Sequence, residues 1–381
     1  MNPPLDRAAF DVTNHFNYLN HAAVGVLPVS TRDALTKFVS DHASGGVLGT
    51  YRYEDKLPGY REAVGSFIGA SGKEIALLRN TGDGANVLAA GLTWEAGDEI
   101  LTNDNEFPSN AYPWLAARHF GASVRLLDTS RERMTPDVLR AQMTDRTRVV
   151  SVSWVGFNDG YRHDLAGLAE VAHERNALFC VDAIQGLGAF PLDVRACNID
   201  AAYGGGAKWL MALQGVSFLY VRESLINQLR VASPGWRSVG DIWDFLNYEQ
   251  HLMDNASRFE GGTPNIVGAL SLSESIAVLK TAGPAIGTHV LSLTDHLCAG
   301  LASLGARISS VREPGISSGI VTFRIPGCDS VQLGKALQKE RIVTTYRSNG
   351  IRVAPHGYTT VQEIDHLLEV TAQAAPALTS V

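Results

Sequence analysis

Two short stretches of this sequence carry residues suited to chemistry on one small ring. LFCVDAIQG ends an apolar run on Asp182, and GGGAKWL places Lys208 in a glycine-flanked turn 26 residues later. A carboxylate at the end of a buried strand needs a cationic partner, because an ionised acid in an apolar sheet is costly. A protonated pyridine nitrogen is such a partner. A lysine among glycines and apolar residues suits a second task, forming an imine with an aldehyde and then carrying a proton, which needs a neutral amine near pH 7. Taken singly, an Asp after an apolar run is usually a turn or cap residue, and a Lys beside Gly is usually a solvated charge. Their order and spacing give the pair its weight.

A third stretch supplies an anion cradle. The strand candidate IALLRN (75–80) runs into Thr81-Gly82-Asp83-Gly84 and then a helix carrying Asn86 to Leu92. A glycine-rich turn opening a helix presents N–H donors to a phosphate, here those of Gly82 and Asp83 with the Thr81 hydroxyl beside them. An aldehyde, a pyridine nitrogen and a phosphate together describe pyridoxal 5'-phosphate, with Lys208 holding it as a Schiff base and Asp182 keeping its ring nitrogen protonated.

The elements that must position these residues alternate. Helical patterns at 59–70 and 164–176 are interleaved with strand candidates at 75–80, 99–102, 123–128, 148–154, 177–182 and 216–221, and Ser71 with Glu74 has the form of a capping box. That alternation predicts an α/β fold with a doubly wound, mostly parallel sheet, which binds ligands beyond the carboxyl ends of its strands. Past residue 260 the texture changes. Helices at 266–280 and 289–304, strands at 316–325 and 342–347 and a terminal helix from Thr360 suggest a smaller α+β domain. The division is a large domain over 15–260, with 1–14 and 261–381 forming the small one.

At 381 residues the chain is long enough for two such domains, and a hydrophobic content of 45% provides for a sizeable core. A net charge of −7 without a Lys/Arg run argues against nucleic acid or an acidic membrane as partner and leaves a small molecule. Cys180, Cys197, Cys298 and Cys328 form no CxxC pair, which indicates neither a zinc site nor a disulfide framework. The start MNPPLDRAAF lacks a signal-peptide pattern and no apolar run is long enough to span a bilayer, so the cytoplasm is expected.

The chain resembles the class V aminotransferase group of fold type I pyridoxal enzymes, which includes cysteine desulfurases, selenocysteine lyases, isopenicillin N epimerases and kynureninases. YLNHAAVG (18–25), TGDGAN (81–86), NEFPSNAYPW (105–114), GYRHDL (160–165), VDAIQG (181–186), GGGAKWL (204–210), GWRSV (235–239) and RFEGGTPN (258–265) carry the likeness over nearly the whole sequence. The resemblance implies that Phe107 stacks on the cofactor ring, where several relatives use histidine, and that Gln185 hydrogen-bonds its phenolic oxygen. It also implies that Trp236 and Ser238 reach the phosphate of a neighbouring subunit, giving a homodimer with shared sites. Arg352, in GIRVAPHGYTT, matches the arginine that grips the substrate's α-carboxylate, a task suited to a planar fork of donors.

Two departures narrow the function. Where many relatives read Ser-x-His-Lys, this chain reads Gly205-Gly206-Ala207-Lys208, without the hydroxyl and the imidazole. Cysteine desulfurases also carry a nucleophilic Cys between the strand here written IVTTYR and the carboxylate-binding arginine, whereas only Ser348, Asn349, Gly350 and Ile351 separate Arg347 from Arg352. The expectation is a pyridoxal-phosphate enzyme acting at the Cα of an amino acid, a C–S (β-elimination) lyase without a persulfide cysteine. An epimerase and an aminotransferase share its first steps and remain alternatives. A nicotinamide dehydrogenase fails on context, since Gly204 to Gly206 precede a lysine and a strand rather than opening a helix. A catalytically silent pyridoxal-binding protein is the weaker reading with Lys208, Asp182 and Arg352 all present.

Overall fold

The computed structural model describes residues 2–347 and 350–378. Its centre is a seven-stranded sheet in the order Ile75–Leu78, Ser217–Val221, Ala201–Gly205, Leu178–Asp182, Thr147–Ser153, Glu99–Asn103, Ser123–Leu127. Ser217–Val221 runs antiparallel to both its neighbours and the remaining pairs are parallel. The middle strands are buried on both faces, which explains why TRVVSVS and LFCVD read as near-continuous rather than alternating apolar runs. One face packs against the helix Thr81–Gly91 and Trp114, the other against Leu168, Val171 and Leu139 of two further helices. The carboxyl ends of Leu178–Asp182, Thr147–Ser153 and Ala201–Gly205 are in register, Ser153 opposite Asp182 and Asp182 opposite Tyr203. The loops that follow therefore converge on one edge.

A four-stranded antiparallel sheet, Thr345–Arg347, Gly350–Val353, Val321–Arg324 and Arg307–Ile308, has its own core of Leu293, Leu297, Phe323, Leu333 and Leu367. The terminal helix Val361–Ala374 starts on a Thr360–Glu363 capping box, and the Ser71–Glu74 box opens a short 3-10 helix at 72–74. We propose a boundary near residue 260, across which the helix Ile266–Ala282 packs back onto the large core. By packing, Leu272, Ile276 and Leu279 lie in the large sheet's core, while the N-terminal segment ties to the C-terminal one through Leu5 N–H to Gly357 O at 3.1 Å and Arg7 to Glu363 at 2.7 Å.

Two expected strands are corrected. The run 316–325 is strand only over Val321–Arg324, because the carbonyls of Ile316 and Ser317 are taken by the backbone and side chain of Arg162. The run 342–347 changes partner at Thr344, with Ile342–Val343 pairing with Asn17–Tyr18 and Thr345–Arg347 with Gly350–Val353. Among the described residues no single helix is long and apolar enough to cross a membrane. The apolar helices Ile266–Ala282 and Ala285–Ser303 meet at 77°.

Candidate active site

Lys208 sits in the turn between the strands Ala201–Gly205 and Ser217–Val221, and its backbone is pinned on several sides. Gly206 N–H donates to Val216 O at 2.9 Å, Met211 N–H to Lys208 O at 3.0 Å, and Gly25 N–H to Ala207 O at 2.7 Å. The chain at Gly25 approaches so closely that a Cβ there would lie 2.0 Å from Lys208 O. Gly25→Ala is therefore expected to lower stability by about 1–3 kcal/mol and displace the lysine turn. A lower Tm with weaker cofactor retention checks this, and an unchanged pair would show that the contact yields freely.

The half-buried Lys208 Nζ lies 5.3 Å from the centroid of the Phe107 ring. Burial pushes its proton affinity below the ordinary lysine range, Asp182 opposes that, and Arg352 and Arg347 add to it. An amine held this way reaches its neutral form more readily, as imine formation and proton transfer require. Phe107 ends the turn before the helix Pro108–Ala116 and meets Phe157 edge-on, centroids 5.2 Å apart at 78°.

Asp182 is 1% exposed. Its Oδ1 accepts from Ile184 N–H at 2.9 Å, while Oδ2 is buried with no partner among the described residues. Burial raises its pKa, partly offset by the Ile184 N–H; Glu106 raises it further and Lys208 opposes. An orphaned carboxylate oxygen is costly to enclose, so this atom fits a charged N–H donor such as a pyridinium. Glu106 was not legible in the sequence. It receives Ser153 N–H at 2.8 Å, Asn110 Nδ2 at 2.9 Å and the Ser153 hydroxyl, bracing the Phe107 turn against the neighbouring strand.

The phosphate cradle differs in detail from expectation. The helix begins at Thr81 itself, so Thr81 to Gly84 form its first turn rather than a turn before it. The Asp83 N–H is taken by the Asn80 side chain at 3.0 Å, and the Asp83 carboxylate pairs with Arg79 at 2.7 Å. The donors left at this helix start are the N–H groups of Thr81 and Gly82. Thr81 Oγ1 accepts from Gly205 N–H at 3.0 Å, which joins the cradle to the strand leading to Lys208 and leaves the hydroxyl hydrogen to donate.

Gln185 is buried, its Nε2 donating to Ala22 O at 3.0 Å and its Oε1 accepting from Trp209 Nε1 at 2.9 Å. One of its two amide hydrogens is thus committed to Ala22. Arg352, 2% exposed, lies on the hairpin Thr345–Arg347 and Gly350–Val353 and donates from Nη1 to Phe157 O at 3.0 Å. Its Nε has no partner among the described residues, and burial, then Arg347, lowers its pKa to about 10. Ser348 and Asn349 lie outside the described residues.

Within one chain the structure does not bring Trp236 and Ser238 to this group. Ser238 is buried and accepts from Gly235 N–H at 3.2 Å, whereas Trp236 is 37% exposed, packed against Trp243 and Phe245 with Arg237 over its ring. The four cysteines are scattered, and burial pushes each thiol up, away from the depressed range of a nucleophile.

The family model described as aminotransferase class V matches residues 17–367. A probable cysteine desulfurase of Methanothermobacter thermautotrophicus is 28% identical over 381 aligned residues, covering 94% of each chain. Isopenicillin N epimerase of Streptomyces clavuligerus is 29% identical, covering 95% of this chain and 94% of its own. The apo structure of a cysteine desulfurase from Thermococcus onnurineus superposes with a TM-score of 0.89 over 98% of both chains at 23% identity, a likeness of fold.

Proposed function

Given that the chain belongs to the class V aminotransferase family and takes pyridoxal 5'-phosphate as its cofactor, we propose that it is a C–S lyase that eliminates a sulfur substituent from Cβ of an amino acid. The observation that carries cleavage of the Cα–H bond is the convergence of Lys208, Asp182 and Phe107 at the carboxyl end of the sheet, with Arg352 beside them; the lyase outcome is supported separately by the thiols. The bound cofactor supplies an electron sink for the pair released from the Cα–H bond. Asp182 Oδ2 would receive the ring N–H, Phe107 would cover one face, Gln185 would reach the phenolic oxygen, and Thr81 and Gly82 would hold the phosphate, with Asp83 bracing that turn through its pairing to Arg79. Arg352 holds the α-carboxylate and so fixes which Cα bond faces Lys208. Lys208 Nζ takes the Cα proton, the electrons of the Cα–H bond become a Cα–Cβ double bond, and the thiolate leaves with the electrons of the Cβ–S bond.

The absence of any activated thiol among the described residues supports direct elimination over sulfur transfer to the protein. Replacing all four cysteines by Ala or Ser is expected to leave turnover within about threefold while lowering stability, since a buried Cys behaves as a small hydrophobe. A folded variant without turnover would refute the thiol-free reading. Return of the proton to the opposite face of Cα would make the enzyme an epimerase, the reading supported by the Streptomyces clavuligerus relative. A panel of amino acids decides: pyruvate, ammonia and sulfide or thiol signal the lyase, inversion of Cα the epimerase, and conversion of the cofactor to its amine form an aminotransferase.

The working unit in this proposal is a homodimer in the cytoplasm. Trp236, Trp243, Phe245, Leu246 and Tyr248 expose a large apolar surface of the kind that pairs subunits, and Trp236 and Ser238 would serve the partner's phosphate end from there. Four unpaired cysteines fit a reducing compartment.

A further inference from the structure

Arg347 stands on the same face of the small sheet as Arg352. Thr345 is directly opposite Arg352 and Arg347 follows two residues on, so the two arginines are diagonal neighbours, about 7–8 Å apart along the sheet. Thr322, the other residue opposite Arg352, belongs to that face as well. The contacts show where the face is turned: Arg352 donates to Phe157 O, Thr322 Oγ1 to Asn158 O at 3.1 Å, and Thr345 Oγ1 to Asn20 Oδ1. Phe157 in turn meets Phe107 edge-on, which links this face to the ring beneath Lys208 Nζ.

Arg347 is exposed, and it meets no carboxylate among the described residues. Composition does not force this, since the chain has 39 acidic against 32 basic side chains, and arginines elsewhere, such as Arg61 with Glu260 and Arg125 with Glu99, are paired. Two arginines and Lys208 thus gather their positive charge around one opening, with Asp182 the carboxylate that opposes it at the lysine. An amino acid with a neutral side chain brings one carboxylate, which Arg352 takes. Arg347 is left over, near enough to both groups to lower the proton affinity of Lys208 and of Arg352.

We propose that Arg347 reads a negative group at the end of the substrate's side chain, so that the enzyme acts on amino acids whose β-substituent carries a carboxylate, sulfonate or similar anion. This rests on the assignment of Arg352 to the α-carboxylate. The spacing of the two arginines suits dicarboxylates of succinate or glutarate length, bound by the charge-assisted hydrogen bonds that guanidinium groups form.

The test is calorimetric binding of succinate, glutarate and butyrate to the holoenzyme, with no turnover involved. Wild type is expected to bind the better dicarboxylate roughly tenfold more tightly than butyrate, since a hydrogen bond to a charged group is worth about one decade or more. Arg347→Gln should abolish that preference and leave butyrate within about twofold. Equal affinity for the dicarboxylates and butyrate in wild type, or an Arg347→Gln loss that is the same for all three acids, would overturn the inference. Failure of the underlying assignment has a different signature, butyrate binding that survives Arg352→Gln.

Discussion

Lys208→Ala is expected to reduce exchange of the substrate Cα hydrogen with solvent deuterium at least ~10⁴-fold, because in the proposed function this lysine is both the cofactor's covalent anchor and the base. The exchange assay is chosen because lyase, epimerase and aminotransferase all begin with that proton. The geometry makes the lysine hard to replace: among the described residues its Nζ is the amine over the Phe107 ring, and Arg352 and Arg347 beside it are unsuited to act as bases. Borohydride reduction of the wild type should leave the cofactor's mass on the peptide containing Lys208, and the variant should carry none. Rescue of part of the exchange by a small added amine would separate lost proton transfer from a disturbed fold. A reduced cofactor found on another lysine would sink the assignment.

What the sequence revealed about this site, and what it hid, follows from where each contact originates. Lys208, Asp182 and Thr81 were legible because each is placed by its own strand and the turn after it, so a local pattern of apolar run, glycine and polar residue marks them. Glu106 was not, since its meaning comes from Ser153 and Asn110, which a fold of parallel strands brings beside it from separate segments. The acidic residue before Phe107 in NEFPSN was the available signal. The parallel sheet was legible in its continuous apolar runs. The small sheet was harder, because 316–320 gives its carbonyls to Arg162 and 342–347 changes partner midway, and neither event leaves a mark in the periodicity. The shared face of Arg347 and Arg352 likewise depends on the register of the hairpin and not on the four residues between them.

Asp182→Asn is expected to keep the fold and most of the cofactor while slowing Cα hydrogen exchange about 100- to 1,000-fold, the scale on which removal of one preorganised electrostatic partner acts. The amide has nearly the same shape, but the position of Oδ2, the enclosed oxygen without a partner among the described residues, loses the charge that would keep a ring nitrogen protonated. A second readout isolates the same atom in the protein stripped of cofactor. Burial raises the Asp182 pKa above the 3.8 of an ordinary aspartate, so the native state binds this proton more tightly than the unfolded chain does. The associated stability is fully present below the unfolded value and is lost as pH rises through the raised native value. The amide of the Asp182→Asn variant cannot ionise, so the Tm of the stripped wild type minus that of the stripped variant should fall between about pH 4 and pH 8. Adding cofactor at the upper end of that range should restore more of the difference to the wild type, because a cationic ring nitrogen then meets the carboxylate. Wild-type exchange in the variant, together with a Tm difference that does not change with pH, would mean that Asp182 is a structural acid already satisfied by Ile184.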